Sequence, residues 1–497
     1  MNVSVPSDKS TWRVSPFLLL AVAVIACLSV LLINGGPLYY YDTGSYIRQG
    51  NVALNTFLPT INEGGDAAGG IRADQDSTAT GSRSLIYGIV MAIFFRASAL
   101  AAISFFHLAS VLLAVWLLAR VANRSLEDSR NTTLLTTVPL LIAAITSLPF
   151  YIAYMMPDIF APVLLIVIAA LTAFGRSMQV WELLLLTALA VFSVISHPSH
   201  LAIAGLMVPF VILAALSVKT PGRWRAVMLV LMILAIAVVE RKAFQIAVET
   251  RTDKEVVYTP HITARLIVDG PGMDYLDEVC PDEAIPTCAL YEALSWSDDP
   301  YRLTVSHIIF ERSPRLGSFR LMTAEDRKNV ALAQRDFAKA VFLSRPIATT
   351  LALAENGYRQ ILRDSIWMTI PTEQALDNAR HLARLDDDEQ DLIQGGLLSK
   401  DRGWIEAVDI LHGTVYAASF VTIVVLLLIP RSVSRDIKLF ALFILIGIAV
   451  NALVCGGVSQ PADRYGARVM WLLPFTAAFL LVVRWSAAPR VVTERDL

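Results

Sequence analysis

Ten apolar runs punctuate this 497-residue chain, at about 14–33, 97–119, 134–150, 159–174, 183–195, 201–218, 226–239, 411–429, 439–454 and 466–483. A helix needs about 20 residues to cross the hydrocarbon of a bilayer, and runs of this kind predict membrane helices. The runs 183–195 and 226–239 are short and must borrow flanking residues. Leu85–Phe95 is too short to cross alone and predicts a juxtamembrane helix on the outer face. The first run follows Lys9 and Arg13, as the apolar part of a signal peptide would, but no small-residue cleavage site comes after it. It predicts a retained first helix. Together the runs predict an all-α polytopic membrane protein with about ten transmembrane helices.

Between the seventh and eighth runs lies a long polar segment, 240–404, with the length of a small, mainly helical domain. Thr323-Ala324-Glu325-Asp326 resembles a capping box, with Val330, Ala333, Phe337 and Val341 following on one helical face until Pro346 blocks continuation. Further helices are predicted over Leu351–Leu362 and Glu373–Leu385. Asp386-Asp387-Asp388-Glu389 reads as a solvated helix end, because consecutive side chains point in different directions and do not converge on a metal. The domain plan is therefore 1–239 with its first loop 36–96, then 240–404, then 405–497.

Composition agrees with a membrane protein: 55% hydrophobic residues, 17% charged and a mean hydropathy of +0.57. A net charge of -2 gives no reason to expect a nucleic-acid binder. Four cysteines are too few for a disulfide framework. Cys280 and Cys288 close a small loop in the polar segment, which predicts a disulfide if that segment faces an oxidising compartment. Cys27 lies inside a span and reads as packing.

Loop charges set the orientation. Arg120, Arg124 and Arg130, then Arg176, then Lys219, Arg223 and Arg225, then Arg431, Arg435 and Lys438 fall in one alternating set of short loops. Lys9, Arg13, Arg484, Arg490 and Arg495 put both termini with that set. The other short turns, 149–158 and 196–200, have neither Lys nor Arg. The positive-inside rule then places both termini in the cytoplasm, and the loop 36–96 and segment 240–404 outside.

Candidate chemistry gathers on that outer face. Asp42 follows Tyr39-Tyr40-Tyr41 where the first helix leaves the bilayer, and a carboxylate there is costly unless it faces water or a polar partner. The tyrosines also suit the headgroup zone. Past Asp42 the loop is rich in Gly and Asp, through Asn62–Gly70 and Asp74–Asp76, which predicts either a loop that orders on binding or a plain connection. Asp158 opens a later span, where it suits both an N-cap and a catalytic or ligand role. His197 and His200 flank Pro198 between two outer helix ends, placed for phosphate binding or proton transfer, or simply as turn residues. Arg83 closes the first loop, and Asp463-Arg464-Tyr465-Gly466-Ala467-Arg468 opens the last span. Guanidinium groups fit phosphate oxygens bidentately, although Arg464 could equally pair with its neighbour Asp463.

In this order the motifs resemble the GT-C superfamily of integral-membrane glycosyltransferases, which includes protein mannosyltransferases and lipid A aminoarabinose transferases. Three motifs carry the likeness: Tyr41-Asp42-Thr43-Gly44-Ser45-Tyr46, Arg83-Ser84-Leu85-Ile86-Tyr87 and Asp463-Arg464-Tyr465. The resemblance spans the membrane-embedded two thirds and does not extend to 240–404. It implies transfer of a sugar from a polyprenyl-phosphate donor to a lipid, glycan or protein acceptor, outside the inner membrane of a bacterium and with inversion. Asp42 or Asp158 would be catalytic. Tyr41, Tyr46, Arg83, Tyr87, His197, His200, Arg464, Tyr465 and Arg468 would bind substrate. The paired acidic form of the first-loop motif is absent, with Thr43 beside Asp42; a divalent cation is compatible with the motifs and not required by them. Two other classes remain open: a lipid or solute transporter, which calls for polar residues at mid-membrane or repeat symmetry, and a non-enzymatic assembly protein working through 240–404.

Overall fold

The structure is a computed structural model and describes residues 15–55, 78–125, 132–217, 221–252, 254–280, 285–385 and 387–487. All ten apolar runs are helical within it, and six helices are both long and apolar enough to cross a membrane: Ala102–Arg124, Pro157–Phe174, Pro198–Leu216, Ile405–Leu428, Arg435–Ser459 and Asp463–Trp485. The other four runs fall short for local reasons. The first divides at Leu28 into Pro16–Cys27 and Ser29–Asn34. The third holds Pro139 and divides into Thr132–Ala143 and Leu148–Ala153. The fifth, Val180–Ser196, has 17 residues. The seventh runs on through Glu240-Arg241-Lys242 as part of one 28-residue helix, Arg225–Thr252.

The polar segment is helical as its pattern predicts. Thr323 accepts a hydrogen bond from the Asp326 amide and caps the helix Ala324–Ser344, in which Val330, Phe337 and Val341 are buried. Pro346 has no amide hydrogen to continue that helix. The chain bends by 112° there into Pro346–Ile361, and this pair would be a seventh candidate span if it counts as one. A third helix covers Glu373–Ala383. Asp386 and the first-loop stretch 56–77, with its Gly and Asp residues, lie outside the described residues.

Burial divides the segment. Helices between Ala264 and Val341 enclose their own core, whereas Ile366, Leu376, Ala379 and Ile393 join the main core with the membrane helices. One short ladder accompanies the helices. Thr78–Thr80 pairs in parallel with Glu255–Val257, tying the end of the first loop to the polar segment. Backbone groups left unpaired between helices are satisfied here by a short ladder.

Among the described arginines that loop charge assigns to one face, Arg225 donates to the Arg176 carbonyl and Arg435 to the Ser217 carbonyl. Arg176 pairs with Asp436 at 2.5 Å, and Arg120 and Arg124 both reach the buried Glu182. The opposite helix ends, at Pro157, Pro198 and Ser459–Asp463, bound the site described next.

Candidate active site

Backbone hydrogen bonds bring the two acidic candidates to the same end. Leu38 exchanges them with the 153–155 strand-like stretch, Leu38 N donating to Ala153 O at 2.9 Å and Met155 N to Leu38 O at 2.8 Å. The Thr43 hydroxyl accepts from the Tyr40 amide at 2.9 Å and donates to the Met155 carbonyl at 3.3 Å, which turns the chain at Asp42 into the helix Thr43–Asn55. Ser84 caps the helix Leu85–Arg96 by accepting from the Tyr87 amide, and this fixes Arg83 just before the first turn. The two helices lie against each other through Gly50 and Gly88: a Cβ on Gly50 would sit 1.9 Å from the Gly88 carbonyl oxygen. That close approach leaves Arg83 Nη2 2.5 Å from Asp42 Oδ1.

Asp158 does not take the capping role that the sequence offered it, and it does not line the cavity that holds Asp42. Fully buried, its Oδ1 lies 3.3 Å from Arg464 Nε and 3.2 Å from Arg468 Nη1, while Oδ2 has no hydrogen-bond partner among the described residues. Arg468 also donates to Asn451 Oδ1 at 2.8 Å and approaches Ser199 Oγ at 3.3 Å and Cys455 Sγ at 3.0 Å. Arg464 lies over the ring of Tyr40, 4.7 Å from its centre, and 5.0 Å from that of Tyr465. Aromatic faces attract a guanidinium and hold it in a plane without neutralising it.

A cavity of about 390 Å³ opens beside these groups, and Asp42, Arg83, His197, Arg464 and Tyr465 line it. His197 is fixed by its own helix: Nδ1 accepts from the Ser199 amide at 3.2 Å and so caps Pro198–Leu216. With Nδ1 an acceptor, the ring proton of the neutral form sits on Nε2. Burial, then His200 and the guanidinium groups, hold His197 well below the usual histidine range, so the neutral form is the one present near pH 7.

The remaining candidates stand back from the cavity. His200 is fully buried and donates through Nδ1 to the Ser193 carbonyl at 2.7 Å. Tyr46 is buried beneath Arg83, whose guanidinium carbon is 6.0 Å from its ring centre, and Tyr87 bonds His107 at 3.1 Å behind it. Tyr41 is held through its carbonyl by Asn378. None of these four side chains lines the cavity.

Several contributors gave no local sequence signal. Tyr258, His261 and Gln334 reach the cavity from the polar segment. Asn451 had one: a lone amide within an apolar run must find a partner, and its partner is Arg468. Among the described residues no three His, Cys, Asp or Glu side chains converge as metal ligands do.

Charge defines what the site accepts. Among the described residues, three guanidinium groups, of Arg83, Arg464 and Arg468, face two carboxylates, Asp42 and Asp158, and Arg464 and Arg468 share Asp158. Arg464 is 5% exposed and Arg468 not at all. Two buried guanidinium groups that share one carboxylate are each incompletely neutralised, and an entering anion relieves that cost.

No protein-family model matches the chain, and no curated protein sequence does. Among solved structures, the chain is similar to ArnT from Cupriavidus metallidurans in the apo state, with 14% identity and a TM-score of 0.34 over 93% of this chain and 76% of that one. It is similar as well to the same protein bound to undecaprenyl phosphate, with 13% identity and a TM-score of 0.35 over 91% of this chain and 79% of that one.

Proposed function

We propose that this protein is a membrane glycosyltransferase that takes a sugar from a polyprenyl-phosphate donor and passes it to an acceptor hydroxyl. The observation that carries the reading is the pair of buried guanidinium groups, Arg464 and Arg468, sharing the single carboxylate of Asp158 beside a cavity lined by Asp42. Arg464 would meet the donor phosphate from the cavity wall. Arg468, one layer down, would set the field around it. The polyprenyl tail would lie between helices in the bilayer while its head group enters the cavity.

In the step itself, a bond forms between the acceptor oxygen and the anomeric carbon of the donor sugar. The bond from that carbon to the phosphate oxygen breaks, and the electron pair leaves with the polyprenyl phosphate. The hydroxyl proton passes to Asp42, the carboxylate that faces the cavity, as general base. Arg83 orients Asp42 through their ion pair. Growing negative charge on the leaving phosphate is met by Arg464, which stabilises the transition state electrostatically. Attack opposite the leaving group inverts the anomeric centre. By the loop charges, the site faces outward from a bacterial inner membrane, with both termini and the Arg120/Arg124 end in the cytoplasm.

The test is mass spectrometry of lipids retained by protein extracted in native nanodiscs, together with transfer from a labelled polyprenyl-phosphoryl sugar. Retained polyprenyl phosphate that is lost in Arg464→Ala supports the reading. Absence of such a lipid and of transfer overturns it. Cysteine labelling across the loops checks the orientation, and an externally labelled site near Arg124 contradicts it.

A further inference from the structure

The cavity is electrically lopsided. Among the described residues that line it, the formal charges are Asp42, Arg83 and Arg464, and these come from the first loop and the last helix. The stretches 258–334 and 454–462 supply more than half of the lining and contribute no charged side chain. What they contribute instead is aromatic, hydroxyl and amide groups. Tyr258 and Phe310 offer ring faces, while Thr259, Ser306, Gln334 and Gln460 offer hydrogen bonds.

These groups are held in place. Ser82 Oγ and Thr259 Oγ1 are 3.0 Å apart, and the Thr259 amide donates to Ser82 Oγ at 3.1 Å. Gln334 Nε2 donates to the Tyr258 carbonyl at 3.0 Å, which fixes the amide and turns its oxygen away from that bond. Gln460 Nε2 donates to Ser306 Oγ at 2.8 Å, so the Ser306 hydroxyl proton remains for another acceptor. The His261 and Phe310 rings are 5.7 Å apart, and His261 Nδ1 is buried with no hydrogen-bond partner among the described residues. Burial, followed by the nearby Arg83, lowers the His261 pKa to about 4 against a smaller opposing effect of Asp42, so this ring adds no charge near pH 7.

We propose that this half of the cavity is a subsite for an uncharged sugar, bound by Tyr258, Phe310, Ser306 and Gln334. The proposal rests on the glycosyltransferase reading and narrows its substrate class. An amino sugar carries an ammonium, and among the described residues this half offers no carboxylate to meet it. A phosphorylated acceptor brings a second anion, and both cavity-lining guanidinium groups already stand at the charged end beside carboxylates. Burying either charge unpaired is costly. A neutral sugar needs neither partner: its hydroxyls match amide and hydroxyl groups, and its C–H faces match aromatic rings. The sugar is supplied either by the donor or by the acceptor, which share this chemistry.

The experiment measures binding to the full-length protein in nanodiscs, with four sets of probes: neutral oligosaccharides, their phosphorylated counterparts, amino-sugar oligosaccharides and undecaprenyl phosphate. Phe310→Ala and Gln334→Ala are the variants; Phe310 is exposed enough for its loss to spare the fold. Each should weaken the neutral probes about tenfold, as expected for loss of roughly 1.4 kcal/mol of contact, and leave undecaprenyl phosphate within about twofold. If the variants weaken a neutral polyprenyl-phosphoryl sugar but not free oligosaccharides, the sugar is the donor's; the reverse assigns it to the acceptor. Tighter binding of phosphorylated or amino probes overturns the proposal, as does indifference of every neutral probe to both variants. Failure of undecaprenyl phosphate alone to bind, with neutral probes still sensitive to the variants, counts against the donor reading and upholds the subsite.

Discussion

Arg464 turns away from Asp463, the carboxylate beside it, and pairs with Asp158, 306 residues earlier in the chain. Asp463 instead accepts from Trp367 Nε1 at 2.7 Å and lies 3.7 Å from Arg363. Adjacent residues on a helix do not face each other, so the neighbour in sequence is a poor partner in space. Gly466, one turn further on, makes room for this arrangement: a Cβ there would lie 1.7 Å from the Arg363 carbonyl oxygen.

Asp158→Ala should therefore destabilise far more than Asp463→Ala. Removing Asp158 leaves two buried guanidinium groups facing each other, and breaking a buried pair of this kind costs about 3–5 kcal/mol. Asp463→Ala gives up one hydrogen bond and a partly exposed ion pair, worth about 1–2 kcal/mol together. Thermal unfolding in nanodiscs ranks the two, and the opposite order would refute the assignment.

Arg464→Lys tests geometry against charge. The guanidinium lies over Tyr40 while its Nε reaches Asp158, and a compact ammonium lacks the planar fork that holds both contacts at once. Donor affinity and turnover should both fall by about tenfold or more, as for loss of a charge-assisted contact. A lysine variant close to wild type would return Arg464 to a purely charge-balancing role.

Asp42→Asn keeps the shape of the group but cannot take up a proton. Loss of a general base typically lowers turnover by about 10²-fold or more. The variant should still insert and fold, because Asp42 is partly exposed and its pair with Arg83 is not deeply buried. Retained transfer would remove Asp42 as the base and leave Asp158 as the other carboxylate at the site, or rule out this reading of the site.

Asp364, between Pro346–Ile361 and Trp367–Thr369, gives a pH dependence. Burial, and then Asp409, raise its pKa from 3.8 to about 6. Between those two values the folded state holds the proton more tightly than the unfolded chain, so stability falls as pH rises through this window. Melting temperatures from pH 4.5 to 7.5 should show that fall in the wild type and a shallower one in Asp364→Asn. Parallel curves would dismiss Asp364 as the source.

Cys280 and Cys288 are joined in a disulfide. Protein taken from oxidising conditions and blocked without reductant should show neither residue alkylated by intact mass and peptide mapping. Alkylation of both would mean the bridge does not form in the cell.

Much of the secondary structure was written in the chain, because bilayer-length apolar runs, prolines and caps act over a few residues. Thr323 capping its helix and Pro346 ending one are local events, and the sequence alone determines them. It also marked most of the charged groups at the site, since Asp42, Asp158, Arg83, Arg464 and Arg468 stand out against apolar surroundings. Their roles were decided elsewhere. Nothing near Asp158 announces that it is sealed from the cavity by two arginines from the last helix, and nothing near Tyr258 or Gln334 announces a place in the wall. Partnership between charges depends on which surfaces meet when helices hundreds of residues apart pack together. A carboxylate becomes a base or an anchor according to whether that packing leaves it facing solvent or closes over it.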